Sequence, residues 1–124
     1  MIYLASPYTH PEQSVREDRF NLVCRAASIL MRRGEYVYSP IGATHPMSVN
    51  CWLPLTWDYW EQYDRWFIER CDYLVVLMID GWQQSKGVTA ELKIARELGK
   101  PIGYVTMEKL ENGVGVINIA REAA

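Results

Sequence analysis

Two carboxylates stand where apolar side chains are expected. Between residues 56 and 71, Trp57, Trp60, Phe67, Ile68 and Cys71 recur with helical spacing, and Asp64 falls on the same stripe, four residues after Trp60 and four before Ile68. Glu91 heads a second such line, with Ala95 and Leu98 following at i+4 and i+7. A carboxylate on a packing face is costly unless it is paired, hydrogen-bonded or protonated. Catalytic sites tolerate that cost because it shifts a pKa towards the working pH. The ordinary alternative for either acid is a rim position or a charge partner for a helix N-terminus. Two such acids near one ligand edge weigh against it.

The run Gln84-Ser85-Lys86-Gly87-Val88-Thr89-Ala90-Glu91 is a second signal. Ser85 can cap a helix, Gly87 lets backbone approach a ligand closely, and free N–H groups there suit an anion such as phosphate. Ser85 acting as a cap and Gly87 as a turn, with nothing bound, explains the same residues. Tyr3 lies in an apolar run, where most tyrosines are core residues with one satisfied hydroxyl. His45 sits in a Pro-flanked stretch and reads as a surface histidine. Trp52, Trp57, Trp60, Trp66 and Tyr8 are candidates to stack a nucleobase, although an aromatic helix stripe is more often core.

The elements that must position these groups follow from periodicity and punctuation. Ile2–Ala5 is a short apolar run stopped by Ser6-Pro7 and reads as a buried strand. Residues 12–33 form an amphipathic helix with Val23, Ala26, Ala27, Leu30 and Met31 on one stripe, ended by Gly34. Residues 35–39 alternate as a second strand up to Pro40. Residues 40–55 hold three of the six prolines, with Gly42, Ser48 and Asn50, and read as a long loop. A helix over 56–71 follows, with Thr56 as its N-cap. Then comes a continuous apolar strand over 73–79, the pattern of a strand covered on both faces. A helix over 86–98 closes on Gly99, and a strand spans 102–105. The tail from Met107 is ambiguous, with 114–119 readable as strand or helix.

This order predicts a parallel sheet with right-handed crossovers. The expected fold is a small doubly wound, flavodoxin- or Rossmann-like α/β domain of four to five mostly parallel strands, filling residues 1–124 as one unit. Such sheets bind ligands at the carboxyl ends of their strands. That rule selects residues 6–10, 39–50, 80–85 and the chain from Thr106, and with the turn before Glu91 it gives Ser6, Tyr8, His45, Asp80, Ser85 and Gly87 as candidate binding residues.

Composition narrows the function. The chain has 124 residues, 49% apolar and 23% charged, which suits one globular domain with a real core. A net charge of -2 argues against a nucleic-acid polymer as partner but leaves room for a small anion. Three cysteines without CxxC spacing and two distant histidines write no zinc site and no disulfide framework. No apolar run reaches the length of a signal-peptide core or a membrane span, so a cytoplasmic protein without a membrane partner is expected.

Together these motifs resemble the nucleoside 2-deoxyribosyltransferase-like superfamily, which includes deoxynucleoside 5′-phosphate N-hydrolases. Within it, the chain is most similar to a small bacterial and phage branch. The likeness covers roughly residues 1–105. It rests on a tyrosine in the first strand (Ile2-Tyr3-Leu4), Asp64 eight residues before Asp72 at the mouth of the central strand, the turn and acid of Gly87-Val88-Thr89-Ala90-Glu91, and Gly99-Lys100-Pro101. The first loop, Ala5 to His10, departs from the glycine-rich turn of those hydrolases, and the aromatic stretch 52–66 is distinctive.

The resemblance implies Glu91 as nucleophile, Asp64 as proton donor to the leaving base or its organiser, and Tyr3 as the group that orients Glu91. The transferases carry Asp six residues before the glutamate; the monophosphate hydrolases carry Ser, and here it is Ser85. That favours a 5′-phosphorylated substrate. Homo-oligomers are usual in the superfamily. No metal and no cofactor are expected, and the expected partner is a small nucleoside or nucleotide. Base exchange between nucleosides, or silent nucleotide binding as a sensor, remain open alternatives, as does an interaction module using the aromatic segment.

Overall fold

The computed structural model describes residues 1–53, 57–113 and 119–120. Its sheet has the strands β1 (Ile2–Ala5), β2 (Val37–Tyr38), β3 (Tyr73–Leu77), β4 (Ile102–Val105) and β5 (Ile119–Ala120), in the order β2-β1-β3-β4-β5. β2, β1, β3 and β4 pair in parallel, and β5 joins β4 antiparallel. Helices α1 (Gln13–Arg32), α2 (Pro40–Cys51), α3 (Trp57–Arg70), α4 (Lys86–Glu97) and α5 (Met107–Glu111) make the crossovers and the return. This is the doubly wound, Rossmann-like fold, in flavodoxin strand order.

Alternation along the strands sorts side chains into two cores. Ile2, Leu4, Val75, Leu77 and Val105 pack with Val23, Ala26, Ala27 and Leu30 of α1 and Leu110 of α5. Tyr3, Ala5, Leu74, Val76 and Ile102 face the other way, against Ile68 of α3 and Val88, Leu92 and Ala95 of α4. β3 is buried on both sides, which is why its sequence is apolar without a break.

The expected loop over 40–55 is instead largely helical: α2 fills Pro40–Cys51. Ser39 caps it, accepting from the Gly42 N–H at 3.0 Å, and Pro40 takes the first turn, where its missing N–H costs nothing. Pro46 interrupts the hydrogen-bond ladder without ending the helix, and Trp52 ends it with a left-handed backbone at φ 59°. The proline-and-glycine signature was therefore a helix start, not a loop. Residues 54–56, including the expected cap Thr56, and 114–118 of the ambiguous tail lie outside the described residues. Leu98, expected on the Glu91 stripe, caps α4 and is exposed. Among the described residues no helix is long and apolar enough to cross a membrane.

Chain direction reverses between β1 and β3: from β1 the chain winds outward to β2, then returns to β3 on the opposite side. In open α/β sheets such a switch point, at the carboxyl ends of the two strands, is the usual place for a ligand. The loops after β1 and β3 border it, and Arg19 of α1 ties them together, donating to the Thr9 carbonyl at 3.0 Å and the Asp80 carbonyl at 3.4 Å.

Candidate active site

Tyr3 of β1, Asp64 of α3 and Glu91 of α4 meet in the core beside the switch point. All three are buried, at 0%, 6% and 4% exposure. The Tyr3 hydroxyl donates a hydrogen bond to Glu91 Oε2. Burial raises the Glu91 carboxyl well above the usual glutamate range, the Asp64 charge adds to this, and the Tyr3 hydrogen bond works against it. Burial likewise raises Asp64 to about 7, with the Tyr3 hydroxyl again opposing. Burial, then the two carboxylates, pushes the Tyr3 phenol upward, so it keeps its proton and remains a donor.

Two buried acids this close resist ionising together, so near neutral pH the pair retains a proton. It then offers a carboxylate and a carboxylic acid side by side. That is the equipment for attack on an electrophilic carbon with protonation of a leaving group. Among the described residues no three His, Cys, Asp or Glu side chains converge as a metal-binding group.

Sequence reasoning missed Tyr38. It is the register partner of Tyr3 on β2, with ring centroids 5.8 Å apart. Its ring stacks on Phe67, three residues beyond Asp64 on α3, at 3.8 Å and 7°. Its hydroxyl oxygen and Asp64 Oδ1 are both buried without a hydrogen-bond partner. The signal was available: alternation along the second strand turns Tyr38 away from Val37, but nothing local says which face holds the acids.

Tyr8 and His45 come together in a separate cluster on the α1 side. His45 is not at the surface; it is 4% exposed in α2 and stacks on Phe20 at 4.3 Å. Its Nδ1 lies 2.6 Å from the Tyr8 hydroxyl and its Nε2 3.0 Å from Glu17 Oε1. A carboxylate only accepts, so in the neutral ring Nε2 carries the proton and Nδ1 receives the Tyr8 O–H.

Of the remaining expected residues, Ser6 is buried directly after β1 with its Oγ unpartnered. Asp80 is exposed after β3. Ser85 caps α4, accepting from the Val88 N–H at 3.1 Å, which leaves its own O–H free to donate. A Cβ at Gly87 would meet only Ser85 Oγ, at 3.8 Å, so the protein's own packing does not require glycine there. On the outer face of α3, Tyr59, Gln62, Tyr63, Trp66 and Phe67 line an open hollow of about 540 Å³. The Arg70 guanidinium lies over the Trp66 ring at 3.8 Å.

Fold and site define a doubly wound α/β domain with a tyrosine-linked pair of buried acids beside its switch point. The chain belongs to the family DUF1937, a domain of unknown function, whose model matches residues 1–107. That match takes in every residue of both clusters. No curated protein matches the chain.

Proposed function

We propose that the protein is an N-glycosidase that releases the base from a nucleoside or deoxynucleoside 5′-monophosphate. The observation that carries this reading is the buried Glu91–Asp64 pair with Tyr3 bonded to one member. Such a pair is expensive to build and stores both a nucleophile and a proton.

In the first step the proton that the pair retains, held more firmly by Glu91, passes to Asp64 as the sugar gains positive charge. The Glu91 carboxylate so formed attacks C1′ as the bond from C1′ to the base nitrogen breaks. The bonding electrons leave with the base, and Asp64 delivers its proton there. Positive charge building on the sugar is stabilised by the Glu91 carboxylate and trapped as a glycosyl ester. Tyr3 holds the carboxylate oxygen in line. In the second step water attacks C1′, its proton passes to Asp64, and Glu91 leaves as carboxylate. Configuration at C1′ is retained, and both acids return to their starting state.

The α4 N-terminus supplies the phosphate contact in this reading. Ser85 has a spare O–H, and the first-turn amides point outward with the positive end of the helix dipole. A nucleotide is a small anion, which a chain of net charge -2 can hold with local donors.

The test is free-base release. Wild-type protein is incubated with ribo- and deoxynucleosides and their 5′-monophosphates, and the products are separated by chromatography, with Glu91→Gln as control. Release from monophosphates that vanishes in the variant supports the proposal. Release only in the presence of a second base makes the protein a transferase. No release across the panel, with nucleotide binding intact, makes it a silent binder.

A further inference from the structure

We propose that Tyr38 is a further catalytic residue of this site, whose hydroxyl donates a hydrogen bond to the departing base beside the proton supplied by Asp64. The inference rests on the N-glycosidase reading and adds to it the group that receives the leaving electrons.

Three placements converge on that hydroxyl. Tyr38 is paired in register with Tyr3, whose own hydroxyl meets Glu91, so the two tyrosines are cross-strand neighbours. The Tyr38 ring is fixed flat against Phe67, on the stretch of α3 that carries Asp64. Its oxygen and Asp64 Oδ1 are buried polar atoms of the described structure that lack a hydrogen-bond partner. The Tyr63 hydroxyl approaches Tyr38 without completing a hydrogen bond.

Unpaired buried polar atoms are rare and costly, and each asks for an explanation. Two of them beside one acid pair are explained by a ligand that supplies the partners. Phe67, which covers the Tyr38 ring, and its neighbour Tyr63 also line the open hollow on α3, so the aromatic cover of the site borders solvent. Burial, then the neighbouring Tyr63 hydroxyl, and after it the charges of Asp64 and Glu91 raise the Tyr38 phenol, so it stays protonated and able to donate.

The chemistry needs such a donor. When the bond from C1′ to nitrogen breaks, its electron pair spreads over the heteroaromatic ring. Protonation by Asp64 neutralises one acceptor. Each natural base carries a second acceptor beside the glycosidic nitrogen, O2 in pyrimidines and N3 in purines. A hydrogen bond from Tyr38 to that atom strengthens as charge develops, so it acts on the transition state more than on the bound substrate. The Tyr38 O–H bond stays intact throughout.

Tyr38→Phe keeps the ring stacked on Phe67 and removes only the hydroxyl. Base release by the variant is expected to show kcat lower by roughly 10- to 100-fold with KM little changed. The loss should shrink for a 7-methylpurine nucleotide, whose leaving group is already cationic and needs no donor. The melting temperature should hold or rise, because no hydrogen bond of the resting protein is lost. An unchanged kcat overturns the proposal, as does an equal loss for both leaving groups. A clear fall in melting temperature also overturns it, by showing that the hydroxyl holds a structural bond. If the wild-type protein releases no base, the N-glycosidase reading fails and this one with it. If the wild type releases base and Tyr38→Phe matches it, only the role of Tyr38 fails.

Discussion

Two tyrosine–acid clusters flank the carboxyl edge of the sheet, and they are built on opposite principles. In the Tyr8–His45–Glu17 cluster each ring nitrogen of the imidazole has a partner of matching polarity, and Phe20 covers a face of the ring. In the Tyr3–Glu91–Asp64 cluster two like groups share one buried space, and neighbouring polar atoms lack partners. The first arrangement stabilises the junction of α1, α2 and the loop after β1. The second opposes folding at neutral pH and repays that only if something is done with it. A buried polar cluster is therefore better read by what it leaves unsatisfied than by which residues it contains.

Substitutions can break or sharpen that contrast. The largest effect is expected from Glu91→Gln, which keeps the shape and removes the proposed nucleophile: base release should fall by a factor on the order of 10³ or more, measured by chromatography, while the melting temperature holds. A variant that keeps its activity removes the functional half of the comparison. Next, His45→Ala should destabilise by about 2–4 kcal/mol, through a lost buried ring and stranded partners. Urea unfolding measures it, and a loss below about 0.5 kcal/mol would show that the satisfied cluster is not structural.

Asp64→Asn should act in the opposite direction. The folded carboxyl titrates near 7, above its ordinary range near 4, so between those values the folded state holds a proton that the unfolded chain has lost. Stability from this group is complete below the lower value and declines as pH rises through the upper one. Wild-type stability should accordingly fall between about pH 4 and 7, and Asp64→Asn should weaken the slope and stabilise by about 1–3 kcal/mol at the alkaline end. Melting curves across pH decide it; a steeper slope in the variant would contradict the account. The smallest stability effect belongs to Ser85→Asp, which retains an N-cap and should change unfolding by less than about 0.5 kcal/mol. Its added charge should weaken release from monophosphates much more than from nucleosides, and equal loss on both would detach Ser85 from phosphate.

Much of this arrangement is legible in the chain. β1, α1, β3, α4 and β4 follow from periodicity and punctuation because each is amphipathic or wholly buried. Asp64 and Glu91 stand out because each violates an apolar stripe. What escaped was tertiary. α2 was obscured because prolines and glycine dominate its composition, although Ser39-Pro40 carries a cap and first-turn signal. His45 looked exposed because its partners Glu17 and Phe20 belong to another helix, 28 residues away in the case of Glu17. Tyr38 was an ordinary strand residue until the register with Tyr3 set it beside the acids.

The bond between Tyr3 and Glu91 spans 88 residues of sequence. During synthesis at roughly 5–20 residues per second, the tyrosine waits about 4–18 s for the glutamate to be made. For most of that interval β1 lacks β3, and throughout it lacks the completed α4, so one face of this interior strand is fully covered only late in synthesis. A chain cut short before α4 contains the tyrosine but nothing to receive its hydrogen bond. The acid pair therefore exists only in molecules whose crossover topology has closed, and partial products lack it.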